Sequence, residues 1–153
     1  MLEYDFHSSV TYWVCHTAHL LQREMNAELA PRGITFRQAQ VLGCLANEGP
    51  LSQVELAERL SIEPPSLVPV LDRMQRDGMV ERSVCPEDRR RRIICPLPKA
   101  KAHWSEIVDS VMLVRTAIAE DLTPAQIEQL NSTLTVIRQG CQRRAEQRQE
   151  ESQ

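Results

Sequence analysis

Hydrophobic positions recur at helical spacing in six stretches of this chain and take on strand character in one short region between them. Phe6, Val10, Trp13, Thr17, Leu21 and Met25 fall near one face of a helix predicted over about 6–30, which Pro31-Arg32-Gly33 stops. Thr35 opens the next helix, with Gln38 as its capping-box partner, Val41, Leu42 and Leu45 as its buried face, and Gly49-Pro50 as its end. A second capping box, Ser52 with Glu55, starts a short helix carrying Val54, Leu56, Ala57 and Leu60. Residues 61–65 cannot continue it, because Pro64 and Pro65 lack the amide donors of a helix interior. The same prolines suit the first turn of a following helix, where those donors have no partner in any case. That helix is predicted to run to about Asp77, with Leu67, Val70, Leu71 and Met74 inward and Gly78 as its stop. Pro69 falls inside it and predicts a tight or bent start.

Residues 79–84 and 92–95 have strand character and flank a turn at 86–91, which predicts a two-stranded wing. Beyond Pro96 and Pro98 a long helix is predicted over about 99–121, with Trp104, Ile107, Val108, Val111, Val114 and Ile118 as its stripe. Thr123-Pro124 with Gln126 caps the last helix, in which Ile127, Leu130, Leu134, Ile137 and Cys141 recur as a coiled-coil-like seam. Past Cys141 the chain turns to Arg, Gln and Glu, and the tail is expected to fray. The first, fifth and sixth helices hold more apolar face than a small lobe can cover, so a two-fold homodimer through them is expected. The fold class read from this order is mainly α with a small β-wing. It is a winged helix-turn-helix with dimerisation helices at both ends, within a single domain over 1–153. The lobe spans about 35–98 and the dimerisation helices about 1–32 and 99–148.

Composition narrows the class without naming it. The chain has 153 residues, 42% hydrophobic and 25% charged, as a globular domain does. No apolar run approaches membrane-spanning length, and the first ten residues lack the basic-then-apolar pattern of a secretory signal. The expected address is the cytoplasm, with no membrane partner. Five cysteines without a CxxC pair read as free thiols there. Cys15, His16 and His19 cluster on one helix, but no second ligand pair stands at a recognisable spacing, so no metal is expected. A glycine-rich phosphate loop and a nucleophile elbow are also missing, so neither an enzyme nor a cofactor is expected. The formal net charge of −3 hides an asymmetry. Residues 73–92 hold seven basic and four acidic side chains. A local basic patch on an acidic body suits contact with phosphates over one face.

Ser52–Leu60 (SQVELAERL), Pro65-Ser66-Leu67-Val68, Leu71-Asp72-Arg73-Met74, Asp77–Arg82 (DGMVER) and Pro86-Glu87-Asp88-Arg89-Arg90 together resemble the MarR family of transcriptional regulators. The likeness covers nearly the whole chain in helix order and length, and Asp88-Arg89-Arg90 is its most specific part. It implies a homodimer that binds a pseudo-palindromic operator in double-stranded DNA, usually as a repressor, released in many relatives by a small aromatic acid, a phenolic compound or an oxidant. On that resemblance the helix from Pro65 enters the major groove, with Ser66 and Val68 near its start and Arg73 and Arg76 placed for phosphates. Ser52 and Gln53 would hold backbone phosphate, and Asp88 would pair with an arginine to hold the hairpin. Arg89 and Arg90, with Arg91 beside them, would probe a narrow minor groove. Three departures stand out. Pro69 occupies a place where close relatives often carry a groove-reading arginine, Arg91 replaces a small residue, and Pro96-Leu97 and Ala100 alter the junction to the next helix.

Two modes of control are open. One is a ligand pocket between the dimer helices and the lobe, lined by Trp13, His16, Phe36 and Trp104, where aromatic walls and a histidine suit a planar anion. The other is oxidation of Cys15, which matches the reactive cysteine of the hydroperoxide-sensing branch, with His16 and His19 as nearby positive charge. Phe36 and Leu29 stand where that branch carries assisting tyrosines. A winged helix used only for protein contacts is the contrasting class.

Overall fold

The computed structural model describes residue 5, residues 8–84 and residues 92–151. The backbone separates into two compact units, Met1–Val114 and Arg115–Gln153. In the first unit the elements run α1 (Val10–Leu29), a 3-10 turn (Ala30–Arg32), α2 (Phe36–Glu48), β1 (Leu51–Ser52), α3 (Gln53–Arg59), α4 (Pro64–Arg76), β2 (Val80–Val84) and β3 (Arg92–Pro96). They are followed by α5 (Pro98–Ala119), inside which the boundary falls, and by α6 (Pro124–Glu150) in the second unit.

Side-chain caps set most of the helix starts. Thr35, Ser52 and Thr123 each accept from the backbone N–H three residues on, and Gln38, Glu55 and Gln126 reach back to close the box. The first helix begins later than its periodicity implied. Ser9 caps it by accepting from the Tyr12 N–H at 3.3 Å, and Phe6 lies outside the described residues.

The core of the first unit is built from α2, α3, α4 and the sheet. Leu56, Leu67, Leu71, Met74, Val80 and Ile94 are fully buried there, and Phe36, Val70 and Trp104 pack against them. Asn26 ties α1 to α2 by accepting from the Phe36 N–H at 2.9 Å. Ser110 of α5 donates to Glu28 of α1 at 3.4 Å.

The backbone pairs β2 with β3 as expected of the wing strands, extends that sheet, and corrects the expectation for the tail. The sheet has three strands, in the order β1-β3-β2, with Leu51 opposite Ile94 and Glu81 opposite Cys95. The extra strand escaped a pattern search because it is two residues long and Ser52 serves it and the cap of α3 at once. The tail after Cys141 does not fray at that point: α6 continues to Glu150. Arg, Gln and Glu are strong helix formers, and a capped helix of this length propagates through them. Along α6, Leu130 and Leu134 are 49% and 40% exposed, so this unit alone leaves its apolar seam uncovered.

Candidate nucleic-acid interface

The turn between α3 and α4 is fixed by backbone chemistry. After Arg59 the Ile62 N–H donates to the Ala57 carbonyl at 3.0 Å and the Ser61 N–H to the Glu58 carbonyl at 3.1 Å, a Schellman ending. Ser61 sits at the left-handed position with φ 52, a conformation that favours glycine. The end of α4 repeats the motif, with Met79 N–H on the Met74 carbonyl at 2.9 Å and Gly78 N–H on the Gln75 carbonyl at 3.0 Å. There the left-handed residue is Gly78, at φ 70.

Between these two endings α4 has two different faces. Leu67, Leu71 and Met74 are fully buried and lock one side. Pro65, Ser66, Pro69, Arg73 and Arg76 are exposed along the other, and Val68 is 37% exposed beside them. Pro69 is accommodated within continuous helix. The two arginines make no ion pair among the described residues. The structure therefore brings Pro65, Ser66, Val68, Arg73 and Arg76 together on one helix surface.

Ser52 is a different case. It is 7% exposed, belongs to β1, and its hydroxyl accepts from the Glu55 N–H at 3.2 Å while its own N–H donates to the Glu55 carboxylate at 2.7 Å. The hydroxyl oxygen thus serves as the cap of α3 in a largely buried position. Gln53 is half-buried and its Nε2 donates to the Pro64 carbonyl at 3.3 Å, a bridge between the starts of α3 and α4. Asp88, Arg89, Arg90 and Arg91 lie outside the described residues.

One positioning residue was missed in the sequence. Arg82 of β2 pairs with Asp72 at 2.6 Å and donates to Gln75 at 2.8 Å, tying the strand to α4. The ten-residue separation of Arg82 from Asp72 follows no helical or strand period, so no local pattern could have announced it. Lys99 makes a similar tie, donating to the Asp77 carbonyl at 2.8 Å.

The residues expected to bind a ligand do not share one site within this chain. Trp13 is 49% exposed on α1, edge-on to Tyr12 at 5.4 Å, and His16 is exposed and stacked on Tyr12 at 5.5 Å. Phe36 packs against the core at the start of α2. Trp104 lines a cavity on the far part of α2, away from the α1 pair. Cys15 is an exposed free thiol on α1. Burial, followed by the nearby Glu48 carboxylate, pushes the Cys44 thiol up from its ordinary range, with Arg59 opposing.

Comparison with known proteins decides what this arrangement is. Residues 34–91 match the model of the MarR family. An uncharacterised HTH-type transcriptional regulator of Bacillus subtilis (strain 168), YwoH, is 31% identical over 91 residues, which is 60% of this chain. Residues 34–91 of the chain are a MarR-family segment. The match spans 66% of that relative's length, just under two thirds. Among solved structures, a cysteine-to-serine variant of MarR from E. coli complexed with operator DNA superposes with a TM-score of 0.78 at 24% identity, covering 84% of this chain and 92% of that one. BpsR of Bordetella bronchiseptica, whose DNA binding is regulated by 6-hydroxynicotinic acid, gives 0.80 at 20% identity, covering 89% of this chain and 97% of that one. CouR of Rhodococcus jostii RHA1, bound to p-coumaroyl-CoA, gives 0.76 at 19% identity over 88% of this chain and 95% of that one. These likenesses show that the MarR-family winged-helix fold extends over most of the chain. Among the described residues no helix is long and apolar enough to cross a membrane.

Proposed function

We propose that this chain is a DNA-binding transcriptional regulator. It acts as a homodimer, represses from a pseudo-palindromic operator, and is released by a small aromatic or phenolic acid. The observation that carries the reading is the two-faced α4, locked inward by Leu67, Leu71 and Met74 and outwardly free from Pro65 to Arg76. A helix held this way can enter a major groove without losing its place in the lobe. Ser66 and Val68 face base edges, Arg73 and Arg76 meet phosphates, and Arg89, Arg90 and Arg91 probe the adjoining minor groove. The dimer is supported by α1, which leaves Val10, Trp13, Leu20 and Leu21 exposed along a helix of 20 residues. The operator complex of E. coli MarR and the aromatic ligands of BpsR and CouR support the operator and the ligand class.

The test is duplex binding against salt concentration, with operators selected from a random pool. Affinity should fall steeply and linearly on logarithmic axes, and Arg73→Ala or Arg76→Ala should each lower the slope by about one. A chain that ignores heparin and holds no duplex at low salt is an interaction module instead.

A second reading has one observation in its favour: the Cys15 thiol is exposed on α1, open to an oxidant. In that reading a peroxide, rather than a ligand, releases the operator. Peroxide should then release duplex from the wild type and not from Cys15→Ser, and equal release from both removes the thiol from the mechanism.

A further inference from the structure

Three sectors run along α4. At about 100° per residue, Leu67, Leu71 and Met74 fall on one side and are buried. Pro65, Arg73 and Arg76 fall on the outward side and are exposed. Asp72 and Gln75 stand between these sides, on the flank that meets β2. The border position of Asp72 has an electrostatic consequence. Arg76 follows it by four residues, and an acidic side chain four places before a basic one is the order in which such helical pairs form best. Left to itself, the Asp72 carboxylate would pair with Arg76.

Arg82 holds that carboxylate elsewhere. From β2 it places Nη2 2.6 Å from Asp72 Oδ1 and donates through Nη1 to Gln75 Oε1 at 2.8 Å. Two nitrogens of one planar guanidinium thus grip two side chains one turn apart on the flank of α4. The sheet fixes where Arg82 stands: it lies opposite Ile94 of β3, which is fully buried. The Arg82 side chain is 23% exposed and that of Asp72 53%, so the strand residue is the better anchored of the pair. Arg76 makes no ion pair among the described residues.

We propose that Arg82 is a positioning residue for DNA binding: it takes up the Asp72 carboxylate on the flank of α4 and so keeps Arg76 available to a phosphate. The inference rests on the DNA-binding reading above and adds to it a residue that acts without touching DNA. Without Arg82 the Asp72 charge turns to Arg76, and one phosphate contact is lost. A lysine could neutralise Asp72 as a point charge, but it has no second planar donor to keep Gln75.

The test uses the full chain and a duplex selected from a random pool with the wild type. Arg82→Gln should weaken binding roughly tenfold in about 0.1 M salt and lower the salt slope by about one, as the loss of one phosphate contact does. Adding Asp72→Asn to Arg82→Gln should restore affinity to within about twofold of the wild type, because the carboxylate that captured Arg76 is gone. A tie that only held β2 to α4 would give no such rescue, and neither would an Arg82 that met a phosphate itself. A double variant as weak as the single one therefore overturns the inference. The exchange of partners is also visible without DNA, in the Nε–H magnetic resonance signal of Arg76. That signal should shift in Arg82→Gln and return in the double variant, and a signal indifferent to both changes overturns the inference as well. A chain whose Arg76 signal behaves as expected but which holds no duplex at any salt keeps the partner exchange and removes the regulator reading.

Discussion

The helices α4 and α1 solve the same problem in opposite ways. The 13 residues of α4 bury Leu67, Leu71 and Met74 completely inside their own lobe. The 20 residues of α1 bury Met25 and Leu29 at one end and leave Val10, Trp13, Leu20 and Leu21 in solvent. One helix is held by its own chain, and the other is finished by a second copy in the assembly proposed above. Stability of the lobe and stability of the assembly should therefore respond to different mutations.

The largest effect is expected in the lobe. Leu71→Ala removes a fully buried side chain from α4 and should cost about 2–5 kcal/mol in denaturant unfolding. A loss below about 1 kcal/mol would mean that α4 is not held as described. Leu21→Asp tests the other side. It should raise the dimer dissociation constant by roughly a hundredfold, about 2–3 kcal/mol, seen in sedimentation equilibrium, and leave the monomer folded. An unchanged constant would take α1 out of the assembly.

A smaller effect sharpens the account of the lobe. Ser61 occupies the left-handed position that Gly78 fills in the matching turn. Ser61→Gly should stabilise by about 0.5–1 kcal/mol, as relief of the steric cost outweighs the added chain entropy. The smallest effect is in the pH dependence. Burial raises the Cys44 thiol above 9.0, so its protonated form is favoured in the folded state. That contribution is complete below pH 9.0 and is lost as pH rises through the raised folded value. Cys44→Ala should flatten the alkaline limb of a stability-pH curve, and a limb of unchanged slope would assign it to another group.

Much of this was legible in the sequence, and for identifiable reasons. The capping boxes at Thr35, Ser52 and Thr123 are local, and each forms as written. The prolines at 64 and 65 and the glycine at 78 mark the ends of α4 because their backbone restrictions act alone. What stayed hidden depends on distant partners. Strand β1 exists through its pairing with β3, and the role of Arg82 exists through Asp72 and Gln75. That Ser52 is largely buried where it caps α3 is likewise something no spacing reveals. The aromatic residues grouped by type alone fell on separate surfaces. The cavity beside Trp104 is lined by proline, alanine, leucine and lysine, types that carry no binding signal in sequence.

The three prolines of α4, at 64, 65 and 69, also act before the helix forms. Each ring restricts its own φ in the unfolded chain and narrows the range open to the residue before it. The disordered ensemble therefore has fewer conformations to surrender in this segment than in any other helix of the chain, and ordering α4 costs correspondingly less. The one hydrogen bond given up inside α4, at Pro69, is offset in part by a freedom the chain never had.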